Sequence, residues 1–167
     1  MNRQVLWTLP LLLVALCSVD LHAQARFAIY GTGGGEKSGL PNDDWQAAGT
    51  FGFYYGLVHA AIFDISADAR GDLSSNIKSG FVGPRVAVKL PVIPIKPYGE
   101  FIFGLSTYSV PARLPIPNDF AYRFVLGLDT TILPHVDWRV ADFSYAINNS
   151  ANGTHAKTLS SGLVIRF

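Results

Sequence analysis

The last eleven residues constrain this chain most. Lys157 to Phe167 reads KTLSSGLVIRF, and it alternates. Leu159, Leu163, Ile165 and Phe167 fall on one face, while Thr158, Ser160, Gly162 and Arg166 fall on the other. A period of two over this length marks a strand. The oily face carries no charge and the other carries an arginine. About 9–11 residues is the length a tilted strand needs to cross a bilayer. The segment therefore reads as the closing strand of a membrane-spanning barrel.

Composition agrees with that reading. Charged residues are 15% of the chain and the mean hydropathy is +0.26, yet after the start no apolar run approaches helix-spanning length. An apolar chain without apolar helices is what alternating membrane strands produce. Residues 1–25 read as an export leader. Arg3 gives a positive start, the run from Val5 to Cys17 is broken only by Thr8 and Pro10, and Ala23-Gln24-Ala25 offers small residues for cleavage. Cleavage is expected after Ala25, leaving 26–167 as one barrel domain. A lipoprotein modified at Cys17 is the alternative, and Leu16 before it fits poorly. Cys17 is the only cysteine, so the mature chain would hold no disulfide. Its stability must come from closing every backbone hydrogen bond. A net charge of +1 gives no nucleic-acid footprint.

Eight strands are expected: 27–31, 47–55, 59–70, 79–90, 98–108, 120–132, 136–147 and 157–167. Loops are expected at 33–44 and 71–75, around Pro111, Pro115 and Pro117, and at 148–153, where Asn and Gly favour turns. Shorter turns are expected at 56–58, at 133–135, and across Pro91, Pro94 and Pro97, since proline removes a ladder donor. Long and short connections then alternate, which puts all long loops at one end of the barrel and both chain ends at the other.

The faces divide cleanly. One collects Phe51, Phe53, Phe63, Ile65, Val82, Val86, Val88, Phe101, Phe103, Leu105, Tyr122, Phe124, Leu126, Leu128, Trp138, Val140, Leu163 and Ile165. The other collects the acids Asp64, Asp68, Glu100, Asp129, Asp137 and Asp142, and the bases Arg70, Arg85, Lys89, Arg123, Arg139 and Arg166. A soluble carrier would turn the oily set inward, and a membrane barrel turns it outward. Eight strands enclose a space that side chains only just fill, too narrow for so many aromatics. Six acids against six bases can instead pair inside. In the seventh strand Trp138 and Val140 are out of phase with Phe143 and Tyr145, so a one-residue bulge near Ala141–Asp142 is expected.

The leader, the eight alternating segments and the terminal Gly-Leu-Val-Ile-Arg-Phe together resemble the small outer-membrane β-barrel family, the OmpA/OmpX-type eight-stranded barrels and their porin-like relatives. The resemblance implies an all-β, antiparallel, up-and-down transmembrane barrel in the bacterial outer membrane. It implies surrounding outer-membrane lipid and lipopolysaccharide, and the assembly machinery as a partner that reads the last strand. Phe167 matches the terminal aromatic of that signal. With the barrel read as ending at Phe167, the peptidoglycan-binding role of two-domain relatives is not implied. A monomer without cofactor is expected.

Other motifs carry little chemistry. Gly31-Thr32-Gly33-Gly34-Gly35 lacks the lysine and hydroxyl of a phosphate loop and reads as an external loop. Asn148-Asn149-Ser150 and Asn152-Gly153-Thr154 read as turns. His59, His135 and His155 have no metal-ligand spacing. His59 and His135 belong to short turns, and His155 has no acid near it in sequence, so a lipid-modifying enzyme is the weaker alternative. A structural or surface-interaction barrel and a narrow pore for ions or small solutes remain. The charges decide between them, because paired they close the lumen. Register arithmetic about the turns sets Asp129 against Arg139, Asp64 against Arg85 and Asp137 beside Arg166, with Glu100 and Arg123 completing the inward pairs.

Overall fold

The computed structural model describes residues 27–37, 39, 44–75, 77–90, 93–108, 116–149 and 155–167. The expected leader and its cleavage point lie outside them. Eight strands follow one another: β1 Phe27–Lys37, β2 Gln46–Ala60, β3 Phe63–Ser74, β4 Ile77–Val88, β5 Ile95–Tyr108, β6 Ile116–Leu133, β7 Val136–Asn148 and β8 His155–Arg166. Each pairs antiparallel with the next, and β8 closes on β1. No strand edge is left open, which is what lets a sheet sit in hydrocarbon. The seam is tied by Phe167 N–H donating to the Phe27 carbonyl at 2.8 Å, with the two rings 5.9 Å apart. Both strand termini thus share one end with the turns at 61–62 and 134–135. We call this the terminal end, and the opposite one the loop end.

The large apolar residues assigned above to the oily face are exposed on the outer wall, Phe101, Phe103, Phe124 and Leu126 among them, except Val88, Tyr122, Leu128 and Val140, which are half-buried. Inside stand Asp68, Arg70, Arg85, Glu100, Arg123, Asp129, Asp137, Arg139 and Asp142, all buried. The bulge in β7 is present, with the register shifting between Arg139 and Asp142. It returns Trp138 and Phe143 to the same outer face and keeps Asp142 inside.

Several boundaries differ from the sequence reading, each for a physical reason. The glycine run 31–35 is not a loop: it lies within β1, hydrogen-bonded to β2 on one side and β8 on the other. Residues 71–74 belong to β3, because Asp72 is an inward residue of the wall. A polar lumen makes polar residues as compatible with strand as apolar ones. Pro97 and Pro117 fall within the first three residues of β5 and β6, where a missing donor costs least. The turn expected at 56–58 is instead a β-bulge in β2, and His59 sits at the end of β2 rather than in β3. The strict alternation of loop lengths also fails. The loop-end connection at 75–76 is as short as a turn, and 89–94 at the terminal end is longer.

Candidate functional site: the barrel lumen

Three inward tyrosines organise the middle of the lumen. Tyr30, Tyr54 and Tyr98 alternate with two arginines in one stack. The Arg85 guanidinium lies 4.4 Å from the Tyr54 ring centre and 4.3 Å from that of Tyr98, and Arg139 lies 4.7 Å from Tyr98 and 4.2 Å from Tyr30. The order Tyr54, Arg85, Tyr98, Arg139, Tyr30 draws on β2, β4, β5, β7 and β1. The wall makes room for two of the rings with glycine. A Cβ on Gly52 would meet the Tyr30 ring at 2.6 Å, and one on Gly127 would run into Tyr98. Cation–π contact gains strength where water is excluded.

Carboxylates fill the guanidinium edges. Arg139 Nε donates to Asp129 at 3.0 Å and its Nη1 to Asp142 at 3.3 Å. Arg85 Nη2 donates to Asp129 at 3.0 Å, and its Nε lies 3.4 Å from Glu100. Arg70 donates to Glu100 at 2.5 Å and to Asp142 at 3.3 Å, and its Nε lies 3.5 Å from Asp68. The Tyr30 hydroxyl donates to Asp68 at 2.9 Å and that of Tyr98 to Asp142 at 2.6 Å. Arg70 is on β3 and Asp142 on β7, which are opposite strands of an eight-stranded ring. Their contact bridges the lumen from wall to wall. Buried charge survives only with such partners.

Two smaller tiers flank this layer. Toward the loop end, Asp72 accepts from Arg123 at 2.7 Å, Thr50 at 2.6 Å and Ser79 at 2.9 Å, while the Arg123 guanidinium covers the Phe81 ring at 4.2 Å. Toward the terminal end, Asp137 accepts from Lys96 at 2.9 Å and Thr131 at 2.8 Å, with Arg166 Nε at 3.0 Å. Asp64 meets both His59 and Lys89 there.

The structure therefore brings Asp129 to Arg139 and Asp137 to Arg166, but it separates Asp64 from Arg85. Asp64 is opposite Ala87, and Arg85 is opposite Ser66. The turn lies at 75–76, and centring it one residue too early moves every partner by two. Glu100 joins Arg70 and Arg85 instead of Arg123, whose carboxylate is Asp72. The tyrosines are what the sequence reading missed. Tyr54 shares the inward phase opposite Phe53 and Tyr55, which was the available signal.

Histidine chemistry is thin. His59 has an acidic neighbour in Asp64, which the sequence reading did not foresee. Among the described residues it contacts no hydroxyl. His155 stacks on Tyr145 with ring centres 5.6 Å apart.

No family model matches the sequence, and no curated protein does. Solved structures do share the fold. The chain is similar to Neisserial surface protein A at 14% identity and a TM-score of 0.58, covering 86% of this chain and 97% of that one. It is similar to the N-terminal β-barrel domain of Pseudomonas aeruginosa OprF at 8% identity and a TM-score of 0.54, covering 86% and 100%. It is also similar to the outer membrane enzyme PagL at 14% identity and a TM-score of 0.53, covering 83% and 98%. At these identities the shared property is the small eight-stranded barrel.

Proposed function

We propose that this chain is an integral bacterial outer-membrane barrel, closed at its centre, that serves as a structural or surface-interaction protein rather than a conduit. The stacked Tyr54–Arg85–Tyr98–Arg139–Tyr30 column carries the reading. Five side chains from five strands occupy the lumen, and Arg70–Asp142 spans it between opposite walls. Such a layer rigidifies a ring of strands and excludes the hydrated ions a pore would pass. The outer wall supports the membrane location, since a contiguous surface of Phe, Leu, Ile, Val and Trp has no other partner around a closed barrel. On this reading the chain is exported by its leader, stays monomeric in outer-membrane lipid and lipopolysaccharide, and is inserted by assembly machinery that engages Phe167. It uses no cofactor and does no catalysis.

Planar-bilayer recording of the purified protein tests the closed state. The expected result is no unitary conductance from the unaltered barrel, and ion-conducting events after Tyr98→Ala together with Arg139→Ala. Steady conductance from the unaltered protein would replace this reading with the narrow pore. Turnover of outer-membrane lipid by the unaltered protein, abolished by His59→Ala, would replace it with the lipid-modifying enzyme; one neighbour in fold, PagL, is an outer membrane enzyme.

A further inference from the structure

Among the described residues, the charged side chains on the outer face of the strands are Lys37, Lys78 and Lys157, all cations and all at the loop end. Two of them are set against each other. Lys37 of β1 and Lys157 of β8 are direct cross-strand partners, both exposed. Like charges so placed destabilise a strand pair, and neither ammonium has an ion-pair partner among the described residues. The row continues to β7, where the Tyr145 ring lies 5.9 Å from the Lys157 ammonium. Folding gains nothing from this pair, whereas an anion between the two ammoniums would relieve it.

What lies below the pair says what else the anion carries. The Trp45 ring rests on Gly35, one outward row beneath Lys37. Indole at this depth marks the boundary between headgroups and hydrocarbon. In the next rows Gly33 stands between Gly49 and Ser161, and Gly31 between Phe51 and Leu163. A Cβ on Gly31 or Gly33 would meet nothing within 4 Å, so the chain's own packing does not demand glycine there. Together these rows make a shallow trough, floored by backbone and walled by Phe51 and Leu163, that descends from the cations into the apolar band.

We propose that the Lys37–Lys157 pair holds a phosphate of one anionic membrane lipid, for which phosphatidylglycerol serves as the probe, and that an acyl chain of this lipid lies along the Gly33–Gly31 trough. The site rests on the membrane reading above. Its chemistry is separate from the lumen, because both lysines point away from it.

Nanodiscs of equal parts phosphatidylglycerol and phosphatidylcholine provide the test. The purified barrel is inserted, its folded state is checked by resistance to SDS at room temperature, and the retained lipid is counted by native mass spectrometry. One phosphatidylglycerol should stay bound in at least fivefold excess over phosphatidylcholine. The Lys37→Gln, Lys157→Gln double variant should lose that preference while remaining folded, and Lys78→Gln should keep it. Gly33→Leu should lower retention with both lysines in place. Equal retention of the two lipids by the unaltered barrel, or an unchanged preference in the double variant, overturns the site and leaves the membrane reading standing. Failure of the unaltered chain to insert overturns the membrane reading, and the site with it.

Discussion

The middle of the lumen and its terminal-end rim use the same chemistry to different effect. Arg139 in the middle is fully buried, shares two carboxylates and lies against two rings. Lys89 at the rim meets one carboxylate, Asp64, and keeps a quarter of its side chain in solvent, 26%. In the middle each charge has been stripped of water and is held only by its neighbours. At the rim, water can take over from a lost partner. The difference teaches that an ion pair in such a barrel is worth what its surroundings make it. Cross-strand register alone does not set that worth.

Removing a charge from the middle is the harshest test of the contrast. Arg139→Ala leaves Asp129 and Asp142 with fewer donors in a space without bulk water. Breaking a buried pair in this way costs about 3–5 kcal/mol. Urea unfolding in lipid vesicles should show that loss, and adding Asp129→Ala should recover part of it. Arg139→Lys should not restore stability, because an ammonium lacks the planar face that lies between Tyr30 and Tyr98. Full stability in either single variant would mean that water reaches the middle after all.

A gentler intervention leaves the charges and disturbs their support. Gly127→Ala places a methyl where the Tyr98 ring now lies. Overpacking of this kind costs about 1–3 kcal/mol, and here it should also part Tyr98 from both arginines. Near-ultraviolet circular dichroism should register the displaced ring alongside the stability loss. An unchanged spectrum with unchanged stability would show that the stack is looser than its distances suggest.

The seam offers a third comparison, between making the barrel and keeping it. Phe167 is 66% exposed and touches Phe27 across the closure. Full burial of a phenylalanine is worth about 1.5–3 kcal/mol, so so exposed a ring should contribute well under that. Deleting it should therefore lower unfolding free energy slightly while cutting the folded amount in cells severally more. Equal, small effects in both assays would remove the assembly role.

How much of this was legible follows from the range of each interaction. The outward face was legible from alternation alone, and the β7 bulge from the phase break between Trp138 and Phe143. The Asp129–Arg139 pair was placed correctly with the turn centred on Pro134, because the register shift between Thr131 and Leu133 offsets the true turn at 134–135. Arg85 had no such help. The polar stretch 71–75 looked like loop, so the β3–β4 turn was set too early and Asp64 was put in its place. Contacts across the lumen were not legible at all. Arg70–Asp142 and the Tyr30–Arg139 stack join strands that are not neighbours, and local pairing says nothing about which side chains reach over the axis. Tyr30 fell within the expected strand 27–31, but the glycines after it disguised the rest of β1 as a loop.

The rim gives the smallest effect and the sharpest check on the comparison. Asp64 there keeps two partners, His59 and Lys89, and both are partly solvated. Lys89→Ala removes one of them and leaves Asp64 able to bind water in its place. Exposed ion pairs contribute about 0–1 kcal/mol, and salt screens them. The loss on unfolding in vesicles should fall in that range and shrink further as sodium chloride rises to about 1 M, where the screening length is about 3 Å. Arg139→Ala, measured beside it, should hold its full cost at the same salt, since mobile ions do not enter the stack. If Lys89→Ala proves as costly as Arg139→Ala, or if both losses fade together with salt, then burial does not distinguish rim from middle and the lumen is wet along its length.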